Sequence, residues 1–127
     1  SDRHGGPEHR YWIRTIADHL KAQGLKVTEE ATVGGGKAID ILVNRDGKRI
    51  AFEIETGKSD VTDNVKKCLD MGIDRIIVVT TSSAAYKKIR AFVAPHQQVK
   101  IIKAREVLEP EFVTSLNRDN FFNNLTP

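Results

Sequence analysis

The amino-acid sequence predicts an α/β sandwich around a mixed sheet of five strands. Two apolar runs joined by Asp46-Gly47 indicate a β-hairpin. The nearly continuous apolar run over residues 73–81 is typical of a central strand that is buried on both faces. Amphipathic helical patterns surround these strands and give the order α, three strands, then α, β, α, β. We therefore expect a single domain over residues 7–108.

The first helix is expected to begin near Pro7, which suits the first helical position, and to end at Gly24. Its apolar stripe consists of Trp12, Ile13, Ile16, Ala17 and Leu20. A strand follows over residues 25–33. The next three residues predict a turn, and they are Gly34, Gly35 and Gly36.

The hairpin strands are predicted over residues 38–43 and 49–55, and the turn fixes their register. With Asp46-Gly47 as a two-residue turn, the predicted pairs are Arg45 with Lys48, Val43 with Ile50, Ile41 with Phe52, and Ile39 with Ile54. These pairs align the apolar faces of both strands, which supports the register. The same register places Asp40 opposite Glu53, and Glu55 lies one diagonal step away.

The next helix is expected to be capped by Ser59 or Asp60 and to end at Gly72. Its predicted inward face consists of Val61, Val65, Cys68 and Leu69. A further helix, capped by Ser82 or Ser83, follows the strand at residues 73–81 and stops at Pro95. Its inward face is predicted to contain Tyr86, Ile89, Phe92 and Val93.

A short strand over residues 99–102 and a helical turn over residues 104–108 complete the predicted domain. The tail over residues 109–127 is rich in Asn and carries Phe112, Phe121 and Phe122. The sequence leaves open whether this tail packs as a helix or docks on another part of a larger protein. Residues 1–6 are interpreted as a linker or tag remnant ahead of a domain cut from a longer protein.

The composition is that of an ordinary globular domain, with 39% hydrophobic and 29% charged residues. The longest apolar run has four residues and is far too short to span a bilayer. Cys68 is the only cysteine, which excludes an internal disulfide and a cysteine-rich zinc site and fits a reducing cytoplasm. The net charge of +3 permits nucleic-acid binding, although the basic residues are spread along the chain.

Three carboxylates form the main candidate site, because the predicted register brings Asp40, Glu53 and Glu55 onto one patch. Like charges opposite one another destabilise a sheet, so this arrangement favours a hard cation that neutralises them. Mg²⁺ or Mn²⁺ fits, since both take oxygen ligands. The alternative is a polar sheet edge that carries these acids by chance.

These residues resemble the PD-(D/E)XK superfamily of nucleases, which includes restriction enzymes and archaeal Holliday junction resolvases. The resemblance covers the chain from Glu8 to about Ile102, and Asp40 with the Glu53-Ile54-Glu55 tripeptide carries it. It implies a restriction endonuclease-like fold and Mg²⁺- or Mn²⁺-dependent hydrolysis of DNA phosphodiester bonds. The implied metal ligands are Asp40, Glu53, Glu55 and Glu8, the last from the first helix.

One departure from the family pattern concerns Glu55, which stands where most members have Lys. Lys58, just past the strand, and Lys67, on the next helix with Asn64, are the candidate replacements. His9 and His19 are candidate general bases, or they pack on the first helix. Thr56 and Ser59 are placed to contact a phosphate at a helix N-terminus, although ordinary helix capping is the favoured explanation for them.

Three functions follow as hypotheses: a metal-dependent DNA endonuclease, an inactive nucleic-acid-binding module, and an interaction domain of a larger ATPase that uses the Phe-bearing tail. The segments near Pro7 and after Glu53 also look similar to a nuclease-like module appended to DNA-mobilisation ATPases. Enzymes of this fold often cut both strands as homodimers, which adds a second copy of the chain to the expected partners. The sequence holds no G-x-G-x-x-G and no P-loop, which argues against a nucleotide-binding fold.

Overall fold

The computed structural model describes residues 6–33, 37–58, 60–92, 96–118 and 121. In these residues the chain forms helices and strands in this order: α1 (Pro7–Ala22), β1 (Lys26–Val33), β2 (Lys37–Arg45), β3 (Lys48–Glu55), α2 (Val61–Asp70), β4 (Arg75–Thr80), α3 (Ser83–Phe92), β5 (Val99–Lys103), α4 (Ala104–Val107) and α5 (Phe112–Leu116).

The five strands form one mixed sheet in the order β1-β2-β3-β4-β5. The first three strands pair antiparallel as a meander, and β3, β4 and β5 pair parallel. The predicted α/β architecture with a mixed five-stranded sheet is therefore confirmed. Because β3, β4 and β5 run parallel, their carboxyl ends meet at one edge of the sheet, where ligands of α/β proteins bind.

Helices cover both faces of the sheet, and each face has its own apolar core. On one face, α1 packs with α4 and α5 against a cluster that includes Ile41, Phe52 and Ile77. On the other face, α2 and α3 pack against a cluster that includes Ala51 and Val78. The alternation along β3 and β4 explains this division, since neighbouring residues point to opposite faces.

A proline and two side-chain caps account for the starts of α1, α2 and α3. Pro7 occupies the start of α1, as predicted. Of the two candidate caps of α2, Asp60 accepts a hydrogen bond from the backbone N of Asp63, and Ser59 lies outside the described residues. Ser82 Oγ accepts a hydrogen bond from the backbone N of Ala85 at 3.0 Å and so caps α3. The turn predicted at residues 34–36 and the helix stop predicted at Pro95 also lie outside the described residues.

The C-terminal segment belongs to the core, so the domain boundary predicted at residue 108 lies too early. Phe112 and Leu116 of α5 are buried in the same cluster as α1. The Phe112 ring also makes edge contacts with Phe52, at 6.2 Å between centroids, and with Phe121, at 5.9 Å. Phe112 therefore serves the domain itself rather than a partner. No helix in the described parts of the chain is long and apolar enough to cross a membrane.

Candidate functional site

The hairpin formed by β2 and β3 has the predicted register from its turn as far as Ile41 with Phe52. The predicted pairs Ile39 with Ile54 and Asp40 with Glu53 are not part of the described ladder. Arg45 pairs with Lys48, Val43 with Ile50, and Ile41 with Phe52. Asp46 and Gly47 both adopt positive φ angles, of 50° and 79°. A two-residue hairpin turn of type I′ requires positive φ at both of its central residues. This turn therefore sets the pairing of β2 with β3 from Arg45 and Lys48 to Ile41 and Phe52.

Along β1 and β2, the side chains stop alternating regularly between the two faces of the sheet at the position of Asp40. Glu30 of β1 has a φ of 46°, and the pairing of β1 with β2 skips from Glu29 with Ile41 to Ala31 with Ile39. Ile39 packs in the core on the α2 side, although Ile41 packs on the α1 side. The prediction that Ile39 shares a face with Ile41 was therefore wrong, because a non-glycine residue with positive φ interrupts the pleat.

Asp40 occupies the gap that this irregularity opens between β2 and β3. Its Oδ2 accepts a hydrogen bond from the backbone N of Ile54 at 2.8 Å, where a regular ladder would use a carbonyl. The same oxygen lies 3.1 Å from Nε2 of His9, which comes from the first turn of α1. Both side chains are partly open to solvent, at 13% for His9 and 18% for Asp40. Asp40 is thus held from β3 and from α1 at once.

Glu53 lies beside Asp40 in a nearly water-free position, with 2% of its surface exposed. Its Oε2 accepts a hydrogen bond from Sγ of Cys68 at 3.6 Å and lies 3.7 Å from Nζ of Lys67. Burial, followed by the negative charge of Asp40, raises the pKa of Glu53 from 4.5 to about 8. Lys67 opposes this rise without cancelling it. Burial and the charge of Asp40 therefore favour the protonated form of Glu53.

The helix α2 supplies the polar groups that face these acids. Lys67 Nζ donates a hydrogen bond to the carbonyl of Ala38 at 2.8 Å, which fixes the ammonium between β2 and Glu53. Asn64, one turn earlier, donates from Nδ2 to Oε2 of Glu55 at 3.0 Å. Glu55 itself is only 1% exposed. Of the two candidate replacement lysines, Lys67 therefore lies in the site, and the exposed Lys58 makes no hydrogen bond or ion pair with another described residue.

Two other predicted residues stand apart from the carboxylates. Glu8 is exposed on α1 and forms no hydrogen bond or ion pair with the described residues, so the first helix contributes its neighbour His9 instead. His19 lies ten residues further along α1, about 15 Å away at 1.5 Å per residue, and does not reach Asp40. A phosphate at the start of α2 is disfavoured, because Asp60 and Asp63 place two carboxylates there.

Cys68 is a supporting residue that its position in the sequence did not reveal. Its place on the inward face of α2 was predicted, but its contact with Glu53 depends on how α2 crosses β3. Burial, with the neighbouring charge of Glu53, raises the pKa of the Cys68 thiol to about 12. The thiol therefore stays protonated and acts as a hydrogen-bond donor to Glu53.

The donor set suits a hard divalent cation of the Mg²⁺ type. Asp40 and Glu53 offer carboxyl oxygens beside the Lys67 ammonium. Among the described residues, no group of three His, Cys, Asp or Glu side chains is arranged to hold a metal ion. Mg²⁺ usually takes one or two carboxylates and completes its shell with water and phosphate oxygens, and Asp40 and Glu53 are the two residues that could serve as such ligands.

Comparison with known proteins supports the fold alone. No protein-family model and no curated protein matches the chain. Among solved structures, the crystal structure of AF1548, a protein of unknown function, superposes with a TM-score of 0.52 at 19% identity, over 74% of this chain and 58% of that one. The SPO1766 protein of unknown function from Silicibacter pomeroyi superposes with a TM-score of 0.49 at 21% identity, over 73% and 62% of the two chains. This chain thus spans less than two thirds of either neighbour.

Proposed function

We propose that this domain is a Mg²⁺- or Mn²⁺-dependent nuclease that hydrolyses DNA phosphodiester bonds. The observation that carries the proposal is the grouping of Asp40, Glu53 and Lys67 beside the carboxyl end of β3. Two carboxylates can hold a divalent cation that promotes phosphodiester hydrolysis, and a fixed ammonium can offset charge on the phosphate. The resemblance to PD-(D/E)XK nuclease sequences agrees with this grouping, and the α/β sandwich is compatible with it.

Asp40 and Glu53 are the residues that would hold the cation. When bound there, the cation supplies Lewis-acid chemistry, which favours ionisation of the attacking water and offsets charge on the phosphate. The protein's own contribution is to keep both carboxylates in place. Ile54 N and His9 hold Asp40, and Cys68 with Lys67 holds Glu53.

Lys67 replaces the lysine that the family pattern places at Glu55. Its Nζ is fixed by the carbonyl of Ala38 and by Glu53, so it needs little reorganisation when charge develops on the phosphate. Asn64 binds the Glu55 carboxylate, which adds a further negative charge to the region around Glu53. Glu55 would in this account strengthen the attraction for a cation, and Lys67 would stabilise the negative charge of the phosphate.

The proposal is tested by incubating the purified protein with supercoiled plasmid and with a single-stranded oligonucleotide, in Mg²⁺, in Mn²⁺ and in EDTA. The decisive variant is Asp40→Asn, which keeps an oxygen that can accept the Ile54 hydrogen bond. The matched control is Asp46→Asn, because Asp46 lies in the hairpin turn, 91% exposed, at the opposite end of β2. We expect metal-dependent nicking by the wild type and by the Asp46→Asn variant, and its loss in the Asp40→Asn variant.

A second function is an inactive module that binds nucleic acid without cutting it. The observation in its favour is that Glu53 and Glu55 are almost completely buried and that Glu55 replaces the usual lysine. Salt-dependent DNA affinity with no cleavage in any metal would select this second function. A homodimer and a parent ATPase remain proposals from the resemblance, as does a cytoplasmic location.

A further inference from the structure

The acidic residues of this chain are distributed unevenly. Residues 75–105 contain seven Lys or Arg and no Asp or Glu, whereas the whole chain has 20 basic and 17 acidic residues. This segment therefore carries a formal charge of +7, and the remainder of the chain carries −4. The basic residues are spread along the whole chain. The segment is positively charged because it contains no acidic residues.

The helix α3 and the end of β5 present four of these cations together. Lys87, Lys88 and Arg90 are exposed on α3, and Lys103 ends β5. Tyr86 lies between them, since the Arg90 guanidinium lies 5.5 Å and the Lys103 ammonium 5.0 Å from its ring centroid. We call this set, Tyr86, Lys87, Lys88, Arg90 and Lys103, the α3–β5 cationic surface.

The cationic nitrogens of this surface form no ion pair with a described acid, and the nearby Glu106 uses its Oε1 to accept a hydrogen bond from the backbone N of Lys103 at 2.9 Å. Elsewhere, cations on the helices pair with carboxylates, as Lys66 does with Asp70 and Lys21 with Glu29. No carboxylate of a described residue lies within 4.0 Å of the cationic nitrogens of Lys87, Lys88, Arg90 or Lys103. Their positive potential is therefore available to an anionic partner.

The α3–β5 cationic surface borders the carboxylate site. Glu55 of β3 pairs with Thr80 of β4, and Thr80 pairs with Lys103 of β5. Two strand spacings of about 4.8 Å place the Lys103 backbone roughly 10 Å from that of Glu55. Lys88 Nζ also donates to the carbonyl of Gly57, in the loop directly after β3, at 2.7 Å. One stretch of polyanion is long enough to contact both regions.

We propose that the α3–β5 cationic surface binds the phosphate backbone of DNA and leads it to the Asp40–Glu53 site. The assignment of DNA as partner rests on the proposed nuclease function. Cations that contact phosphates supply most of the non-specific affinity for DNA and position the duplex. Tyr86 would hold Arg90 and Lys103 in place through its ring and so keep these two charges together on the surface.

The test measures DNA affinity by fluorescence anisotropy in EDTA, so that binding is read without cleavage. A labelled DNA duplex is titrated with the whole chain at several salt concentrations. The variant is Lys87→Gln with Lys88→Gln, and the matched control is Lys26→Gln with Lys48→Gln. Lys26 and Lys48 are exposed at the opposite sheet edge, some 23 Å from the carboxyl end of β3 at about 3.3 Å per residue. A second variant, Lys87→Gln with Arg90→Gln, leaves the Lys88 bond to Gly57 intact.

We expect both α3 variants to bind at least tenfold more weakly than wild type at low salt. The slope of log affinity against log salt should fall by about 1.8, because each lost phosphate contact removes about 0.9. The control pair should retain the wild-type slope. Equal losses in the α3 and control pairs, absence of wild-type binding, or binding to duplex RNA but not DNA would each overturn the proposal.

The binding test and the cleavage test fail independently. DNA binding that depends on α3, with no cleavage in any metal, would leave this surface standing and remove the nuclease function. If the α3 variants bind and cleave DNA as well as wild type, the nuclease function would stand and the α3–β5 cationic surface would be removed as the DNA-binding region.

Discussion

Among single residues, Glu53 is the one whose ionisation depends most strongly on its surroundings. Its raised pKa means that burial and the charge of Asp40 favour the protonated acid in the folded state. The unfolded chain has no such preference and ionises near the ordinary value. Because the pKa of Glu53 is raised on folding, its stabilising contribution is complete below about pH 4.5 and declines as the pH rises through about 8.

The first prediction follows from this sign. Glu53→Gln should remove part of the decline in stability between pH 4.5 and about 8, because a neutral amide cannot ionise. Each pKa unit of difference corresponds to about 1.4 kcal/mol, so we expect the variant to be at least 1 kcal/mol more stable than wild type at pH 8.5, or roughly 4 °C in Tm. The two proteins should be nearly equal at pH 4.5. Thermal unfolding across this pH range measures the difference, with the exposed Glu109→Gln as control.

A second prediction concerns which residue of α1 serves the site. The resemblance implied Glu8, but the structure places His9 at 3.1 Å from Asp40 and leaves Glu8 exposed. Removing a residue that orients a metal ligand typically costs 10- to 100-fold in metal affinity or activity. His9→Ala should therefore raise the Mg²⁺ concentration needed for half-maximal cleavage by about tenfold, and His9→Gln should restore part of the loss.

Glu8→Gln is the control for His9, because both residues lie in the first turn of α1. It should leave the Mg²⁺ dependence unchanged. A loss of metal affinity in Glu8→Gln that equals the loss in His9→Ala would show that Glu8 binds the metal, as the resemblance implied.

At the scale of elements, α2 completes the candidate site because it adds a lysine to the carboxyl groups of β2 and β3. Lys67 was predicted as a candidate from its position on the helix that follows β3, and its ammonium lies beside Glu53 in the fold. Its neighbour Lys66 points to the outside, where it pairs with Asp70 across one helical turn. One helix therefore offers two adjacent lysines of which only one faces the acids.

This pair gives a third prediction. Lys67→Met should lower the single-turnover rate of DNA cleavage by roughly 100-fold at saturating DNA, because the fixed ammonium stabilises charge that develops during the reaction. Lys66→Met should leave both the stability and the rate nearly unchanged, since exposed ion pairs contribute little. DNA affinity should be similar in both variants. Equal rates for the two variants would contradict a catalytic role for Lys67.

The elements also show what the sequence could predict and why it could not predict the rest. The Asp46-Gly47 turn and the apolar alternation fixed the pairing of Ile41 with Phe52, because both are local signals. The reversal at Glu30, which lets Asp40 reach between the strands, has no local signal, since positive φ at a glutamate results from the surrounding packing. The contact of His9 with Asp40 spans 31 residues and depends on where α1 crosses the sheet.

The C-terminal segment shows the same limit. The Asn-rich composition of residues 109–127 gave no helical periodicity that could decide its structure. In the fold, the ring of Phe112 completes the core beneath α1 and β3. The position of Phe112 therefore depends on the space between α1 and β3. That space is defined by the tertiary structure and not by the local sequence.

At the scale of the whole molecule, two regions of opposite charge lie next to each other. The carboxylates of β2 and β3 form a buried acidic site, and the α3–β5 cationic surface begins about two strands away. An acidic site alone would repel DNA, so a metal-dependent nuclease needs such a neighbouring cationic surface to bring phosphates close. The small positive net charge of the chain conceals this separation.

Whether Asp40 and Glu53 form a divalent-cation site can be measured by Mg²⁺ titration calorimetry at pH 7. Because Glu53 is largely protonated at this pH, cation binding should release a proton, and the measured heat should change with the ionisation enthalpy of the buffer. We predict saturable binding that shows this buffer dependence at pH 7, little of it at pH 9.5, and no binding to the Asp40→Asn variant. Absence of binding to the wild type in both Mg²⁺ and Mn²⁺, or binding that the Asp40→Asn variant retains, would contradict the account.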